Sequence, residues 1–227
     1  MSGHHHAGDL ISRGYQGAVY KQDADGQSDS RYIIVKRAMG SPLARMLRRA
    51  MIRREYRVYQ CLEGIAGIPV CHGLRDGNDL ILEYIEGPSL REVAKELPDR
   101  ETFYSALLQL VLAMHQAGVA HADMKRKDNI LVSPDGQPYL IDFGSAVLRK
   151  KNSPFWNRLA FQQACRIDLN AWVKLKYQRQ NENISAEDLH YYRPTFAEKW
   201  ARRLRRTWRK ITGRQWRNAR RRRRSSG

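Results

Sequence analysis

His121-Ala122-Asp123-Met124-Lys125, then Asn129, then Asp142-Phe143-Gly144 crowd several reactive side chains into residues 121–144. An aspartate can orient a hydroxyl and take its proton while a nearby lysine steadies developing negative charge. An asparagine followed by a second aspartate supplies oxygen ligands for Mg²⁺, which takes few protein ligands and fills its shell with waters and phosphates. The chemistry that needs such a set is phosphoryl transfer to a hydroxyl.

These residues need elements to position them. Residues 10–20 and 31–37 read as two strands joined by the polar loop 22–30, which contains Asp25-Gly26. Ser41-Pro42 opens a helix, with serine as N-cap and proline at the first helical position. Leu43, Leu47, Met51, Glu55 and Tyr59 then fall at steps of four, so Glu55 shares a helix face with apolar residues. A carboxylate on such a face needs a partner. Residues 70–75 and 79–85 form a second hairpin around Asp76-Gly77-Asn78, and Gly87-Pro88 breaks the chain. A long helix is predicted over 100–116, with Asp99 as cap and Gly118 past its end. Short strands over 130–132 and 139–141 flank Pro134-Asp135-Gly136, and everything after about Ile167 reads as helix. The order gives a sheet lobe over 1–86, a helical lobe over 87–195 and a separate basic tail over 196–227.

Taken together, the motifs resemble those of the protein-kinase-like superfamily over about residues 10–168. The resemblance implies an α+β, two-lobed protein-kinase-like fold. Its N-terminal lobe is a small antiparallel sheet with one helix, and its helical C-terminal lobe is reduced. The segment from Ile11 to Tyr20 resembles the glycine-rich loop, in which Gly14 and Gly17 let the backbone approach ATP phosphates; Ser12 stands where the first glycine usually is. Ile34-Val35-Lys36 resembles the strand lysine that holds the α- and β-phosphates, with Glu55 as its helix partner. Leu82-Glu83-Tyr84-Ile85 resembles the segment that receives adenine, through backbone groups of Glu83 and Ile85.

By the same resemblance Asp123 orients the acceptor hydroxyl, Lys125 stabilises the transferring phosphoryl group, and Asn129 and Asp142 bind Mg²⁺. Asn129 stands six residues after Asp123 where the family usually has five. Asp128 occupies the usual spacing, so the metal ligand is open between the two, with the following Ile130-Leu131 favouring Asn129. His121 is expected to brace the loop. Ala122 replaces the arginine that pairs with a phosphorylated activation loop in many regulated kinases, so a switch of that sort is not expected. Asp168 resembles the helix aspartate that anchors the catalytic loop from below.

No Ala-Pro-Glu element follows Asp142-Phe143-Gly144, and only 26 residues separate Asp142 from Asp168. That shortness resembles small atypical kinases, namely the RIO family and the bacterial lipopolysaccharide core kinases that phosphorylate Kdo or heptose. Charge narrows the choice. The chain carries +18, and 14 of its Lys and Arg fall in 199–227 where there is no Asp or Glu, leaving +4 for 1–198. Phe196, Trp200, Leu204, Trp208 and Ile211 form one helical stripe among those cations, as in a helix lying on an anionic membrane. Packing on the chain's own helical lobe and RNA binding are the competing readings of this tail. Six arginines surround Glu55, most simply a solvated face.

Cys61, Cys71 and Cys165 match no metal spacing and read as reduced packing thiols. The stretch 106–114 is too short to span a bilayer, the N-terminus lacks a signal-peptide core, and His4-His5-His6 reads as a flexible start. The expectation is a cytoplasmic enzyme, peripheral on the inner face of the cytoplasmic membrane. It would use ATP and Mg²⁺ to phosphorylate a hydroxyl of a glycolipid such as lipopolysaccharide inner core. The alternatives are a RIO-like protein serine/threonine kinase and a non-catalytic RNA-binding or adaptor pseudokinase, with nucleic acid ranked behind the membrane as a partner.

Overall fold

The computed structural model describes residues 9–14, 17–24, 31–76, 78–150, 154–177 and 184–193. The tail over 196–227, His4-His5-His6 and the Asp25-Gly26 loop lie outside the described residues. The fold is α+β, as expected. Strands β1 (Asp9–Gly14), β2 (Gly17–Asp23), β3 (Tyr32–Arg37), β4 (Cys71–Arg75) and β5 (Asp79–Glu83) form one antiparallel sheet in the order β1-β2-β3-β5-β4. Helix α1 (Pro42–Cys61) crosses from β3 to β4.

The single strand expected over 10–20 is in fact a hairpin, with Gly14 opposite Gly17. Gly17 has φ +142°, and a Cβ there would sit 2.1 Å from the Arg37 carbonyl oxygen. Only glycine lets β2 start so close to β3. Apolar residues continue on both sides of this turn, which is why the pattern reads as one strand.

Helix α1 opens at Pro42 after an extended Ser41, whose hydroxyl does not cap it. The expected apolar stripe is buried over only part of its length. Ile52, Glu55, Val58 and Tyr59 are buried, whereas Leu43 and Leu47 are exposed. Periodicity gives the face of a helix; what packs against each turn decides burial.

The lower half is built around α3 (Arg100–Gln116), where the Asp99 carboxylate accepts from the Thr102 N–H at 3.0 Å and Gly118 (φ +82°) ends the helix, as expected. A short helix α2 (Leu90–Val93), not expected from the sequence, precedes it. Strands β6 (Val119–Ala120) and β9 (Val147–Leu148) pair, as do β7 (Ile130–Val132) and β8 (Pro138–Leu140). Helix α4 (Phe155–Lys176) begins well before the expected Ile167, and α5 (Ala186–Leu189) follows. Trp172 of α4 donates its indole N–H to the Tyr104 carbonyl of α3 at 2.7 Å, which locks the two helices. The main apolar core is continuous across both halves, from Val58 and Leu62 through Phe143 to Leu107 and Met114. No helix among the described residues is long and apolar enough to cross a membrane.

Candidate active site

Lys36 lies on the central strand β3, and alternation sends its neighbour Val35 to the opposite, buried face. The Lys36 ammonium is 2.7 Å from Glu55 Oε1 and 3.5 Å from Asp142 Oδ1. Burial works against its charge, but the Glu55 and Asp142 carboxylates outweigh burial and raise the Lys36 pKa above its ordinary value. Glu55 thus finds the partner that its apolar helix face demanded.

Asp142 sits at the end of the β7–β8 hairpin in a left-handed conformation (φ 63°, ψ 72°) and starts a 3₁₀ turn over Phe143–Ser145. Phe143 is buried between the rings of Tyr59, at 5.1 Å, and His121, at 4.8 Å. That burial turns Asp142 toward the cleft. Burial of Asp142 itself disfavours its charge, but Lys36 and the Gly144 N–H more than compensate, and its carboxyl is held below the usual range. Arg54 of α1 donates to the Gly144 carbonyl at 2.9 Å and to the Ala146 carbonyl, so α1 is tied to this turn.

The loop after β6 hangs on Asp168 of α4, which is 0% exposed. Its carboxylate accepts from the backbone N–H groups of His121 and Ala122, each at 2.8 Å, and contacts His115 Nε2 at 3.1 Å. Ala122 is held at φ +65°, a costly conformation for a residue with a Cβ, which the two bonds to Asp168 stabilise. His121 Nδ1 accepts from the Asp123 N–H at 3.3 Å while Nε2 faces the Ile141 carbonyl at 3.0 Å, which assigns the ring proton to Nε2. His121 therefore braces the loop, as expected.

Asp123 follows, with the Lys125 and Arg126 cations each 3.9 Å from its carboxylate. Asn129 is buried and donates its amide N–H to the Asp123 carbonyl at 3.2 Å. Asp128 faces away, bonded to Arg91, and that hydrogen bond lowers its pKa. The segment between Asp123 and Asn129 ends in a 3₁₀ turn over Lys127–Asn129.

A cleft of ≈ 440 Å³ runs between the halves. Lys36, Asn129 and Asp142 lie along it, with Glu83, Tyr84 and Ile85 on the crossover wall and Ser12 on β1. Val19, Ile34, Leu82, Leu131 and Ile141 supply apolar walls suited to a flat base. The Glu83 N–H is taken by the Val70 carbonyl at 2.8 Å. Of the residues singled out in the sequence, Lys36, Glu55 and Asp142 meet, Asn129 lines the same cleft, and Asp123 is joined to Asn129 through its backbone carbonyl. Glu83 and Ile85 form the crossover wall, Gly14 and Gly17 face each other at the hairpin tip, and Lys125 points largely to solvent. Arg54, Leu131 and Ile141 were missed. Strand alternation after Asn129 could have found Leu131, whereas Arg54 is hidden in an arginine run.

The description of the protein kinase domain matches residues 6–165. The chain belongs to that family. Its similar relatives include the putative cyclin-dependent kinase F-2 of Oryza sativa subsp. japonica, 37% identical over 83 residues, or 33% of this chain and 25% of that protein. The serine/threonine-protein kinase PknD of Chlamydia trachomatis serovar D is 28% identical over 158 residues, 62% of this chain and 17% of PknD. PknL of Mycobacterium tuberculosis is 39% identical over 99 residues, 40% of this chain and 25% of PknL. The matched parts thus span a quarter or less of these relatives. This chain's fold is that of an ATP-dependent phosphotransferase. The kinase-domain match stops at residue 165, short of Asp168, whose anchoring of the loop was expected from the sequence and is seen in the geometry.

Proposed function

We propose that this kinase transfers the γ-phosphoryl group of ATP to an alcohol acceptor, and that the acceptor is a serine or threonine hydroxyl of a protein. The observation that carries the reading is the Lys36 ammonium held between Glu55 at 2.7 Å and Asp142 at 3.5 Å. A cation fixed by two carboxylates at the edge of a largely apolar cleft suits a triphosphate whose base lies further in. Lys36 would contact the α- and β-phosphates. Asp142 and Asn129 both line the cleft, and their carboxylate and amide oxygens would suit Mg²⁺, which accepts one carboxylate plus phosphate oxygens and waters. When bound, that ion supplies charge neutralisation. Asp128, turned to Arg91, fits the ligand role less well. Asp123 would hold the acceptor hydroxyl and take its proton as that oxygen bonds to phosphorus and ADP leaves, with Lys125 steadying the charge. Gly14 and Gly17 would bring backbone to the phosphates, and Glu83 and Ile85 would present backbone groups to adenine. In this reading, residues 1–86 and 87–195 act as the two lobes and 196–227 as a separate basic unit.

The relatives named as serine/threonine-protein kinases support the protein acceptor. A glycolipid hydroxyl is the second reading. It is favoured by the short connection from Leu148 to Phe155, which leaves little chain to form a peptide platform. Against a pseudokinase stands the assembled Lys36, Glu55 and Asp142 set. Labelled ATP with Mg²⁺, added to separated protein and envelope fractions with Asp123→Asn as control, tests the proposal. Label on protein, lost in the variant, is expected. Label confined to glycolipid replaces the acceptor, and equal label with Asp123→Asn removes the mechanism.

A further inference from the structure

The first half of α1 contributes nothing to the cleft. Leu43, at 74% exposed, shares a face with the exposed Met46 and Leu47 at steps of three and four. Arg45, Arg49 and Arg53 are exposed beside them, and the only acidic residue of α1 is the buried Glu55. A second patch opens α4, where Phe155 and Trp156, the latter 75% exposed, lie near exposed Leu159 with Lys150 and Arg158 alongside. The two patches hold six of the twelve large exposed apolar side chains among the described residues. That is a concentration, not the single scattered residues of an ordinary surface. The helices that carry the patches border one segment: farther along α1, Arg54 donates to the Gly144 and Ala146 carbonyls from the same helix face as Leu43 and Leu47, and Asn157 of α4 donates to the Leu148 carbonyl at 3.0 Å.

We infer that the starts of α1 and α4 form a docking face for an anionic lipid bilayer. The apolar side chains enter the boundary between headgroups and acyl chains, and the flanking cations meet lipid phosphates. Charge selects this occupant. A second copy would set arginine against arginine. The chain's own 199–227 segment, with 14 Lys and Arg and no acid, would do the same. Nucleic acid would satisfy the arginines but leave the exposed leucines, methionine and tryptophan without an apolar partner. Leu47 and Glu55 lie eight residues apart on one helix, about 12 Å, so docking brings the Lys36–Glu55 pair close to the membrane surface.

The test is flotation of the full chain, without nucleotide, on vesicles of phosphatidylglycerol and phosphatidylcholine. Binding is compared with Leu43→Ser/Met46→Ser/Leu47→Ser, with Phe155→Ser/Trp156→Ser, and with Leu189→Ser as an exposed control elsewhere. Each patch variant should bind anionic vesicles about tenfold more weakly or worse, and the control should match the wild type. Wild-type flotation undiminished in both patch variants would overturn the proposal and leave the tail as the membrane contact. Absence of wild-type flotation would also overturn it. So would loss, in the patch variants, of binding to a labelled RNA rather than to vesicles. Because binding is read without ATP, the result does not depend on which acceptor the kinase uses.

Discussion

Asp142 and Asp168 both border the loop over 121–129 and are held in opposite ways. Asp168 is 0% exposed, and its oxygens are occupied by the His121 and Ala122 N–H groups and by His115. The Asp142 side chain is 43% exposed, meets one ammonium at 3.5 Å and keeps lone pairs facing the cleft. A carboxylate whose acceptor sites are filled by backbone can only hold a shape. One with sites to spare can take a ligand. The difference separates scaffold from chemistry more cleanly than residue type does, since the two side chains are identical.

The strongest way to break the comparison is Asp168→Ala. It strands two buried N–H groups and frees the strained Ala122, so a loss of roughly 3–5 kcal/mol in unfolding free energy is expected, read by denaturant titration. An unchanged midpoint would mean that Asp168 is not the scaffold. Asp142→Asn should do the reverse, keeping stability within about 1 kcal/mol while phosphoryl transfer falls about a hundredfold or more. Glu55→Gln should fall between, raising the KM for ATP several-fold because Lys36 keeps only Asp142 as a charged partner.

Acidity sharpens the contrast further. Asp142 has a depressed folded pKa, so its stabilising contribution is present above its ordinary value and is lost as pH falls through the folded one. Lys36 has a raised folded pKa, so its contribution is present below its ordinary value and is lost as pH rises through the folded one. Nucleotide affinity should therefore show no titration of this pair between about pH 5 and 9, which a binding profile checks. The smallest effect concerns thiols. Burial, then the nearby Asp168 charge, pushes Cys165 up to about 12, whereas Cys61 is exposed. A thiol reagent at pH 8 should label Cys61 and spare Cys165.

Much of this was legible in the sequence because the signals were local. Asp99, Gly118, Ser41-Pro42 and the hairpin around Asp76 report on neighbouring backbone, and each marks an element boundary found in the structure. The ion pair was legible because a buried Glu55 demands a cation. What escaped depends on contacts distant in sequence. The break between β1 and β2 follows from how near the Arg37 carbonyl lies to Gly17. The exposure of Leu43 and Leu47 follows from what does not pack on that end of α1. Nor does the local pattern show that Asp128 is drawn aside by Arg91, thirty-seven residues upstream.

Gly87 carries a mechanical consequence. A Cβ there would lie 2.0 Å from the Val132 carbonyl oxygen, the Val132 N–H donates to the Pro88 carbonyl at 3.0 Å, and Ser89 bridges Leu131. The crossover strip is thus sewn to the lower hairpin along one edge. The halves cannot part there, and breathing of the cleft becomes a swing about that seam. Strand β1 lies three strands from β5, about 14 Å of lever, so a swing of about 4° at the seam becomes about 1 Å at the glycine tip.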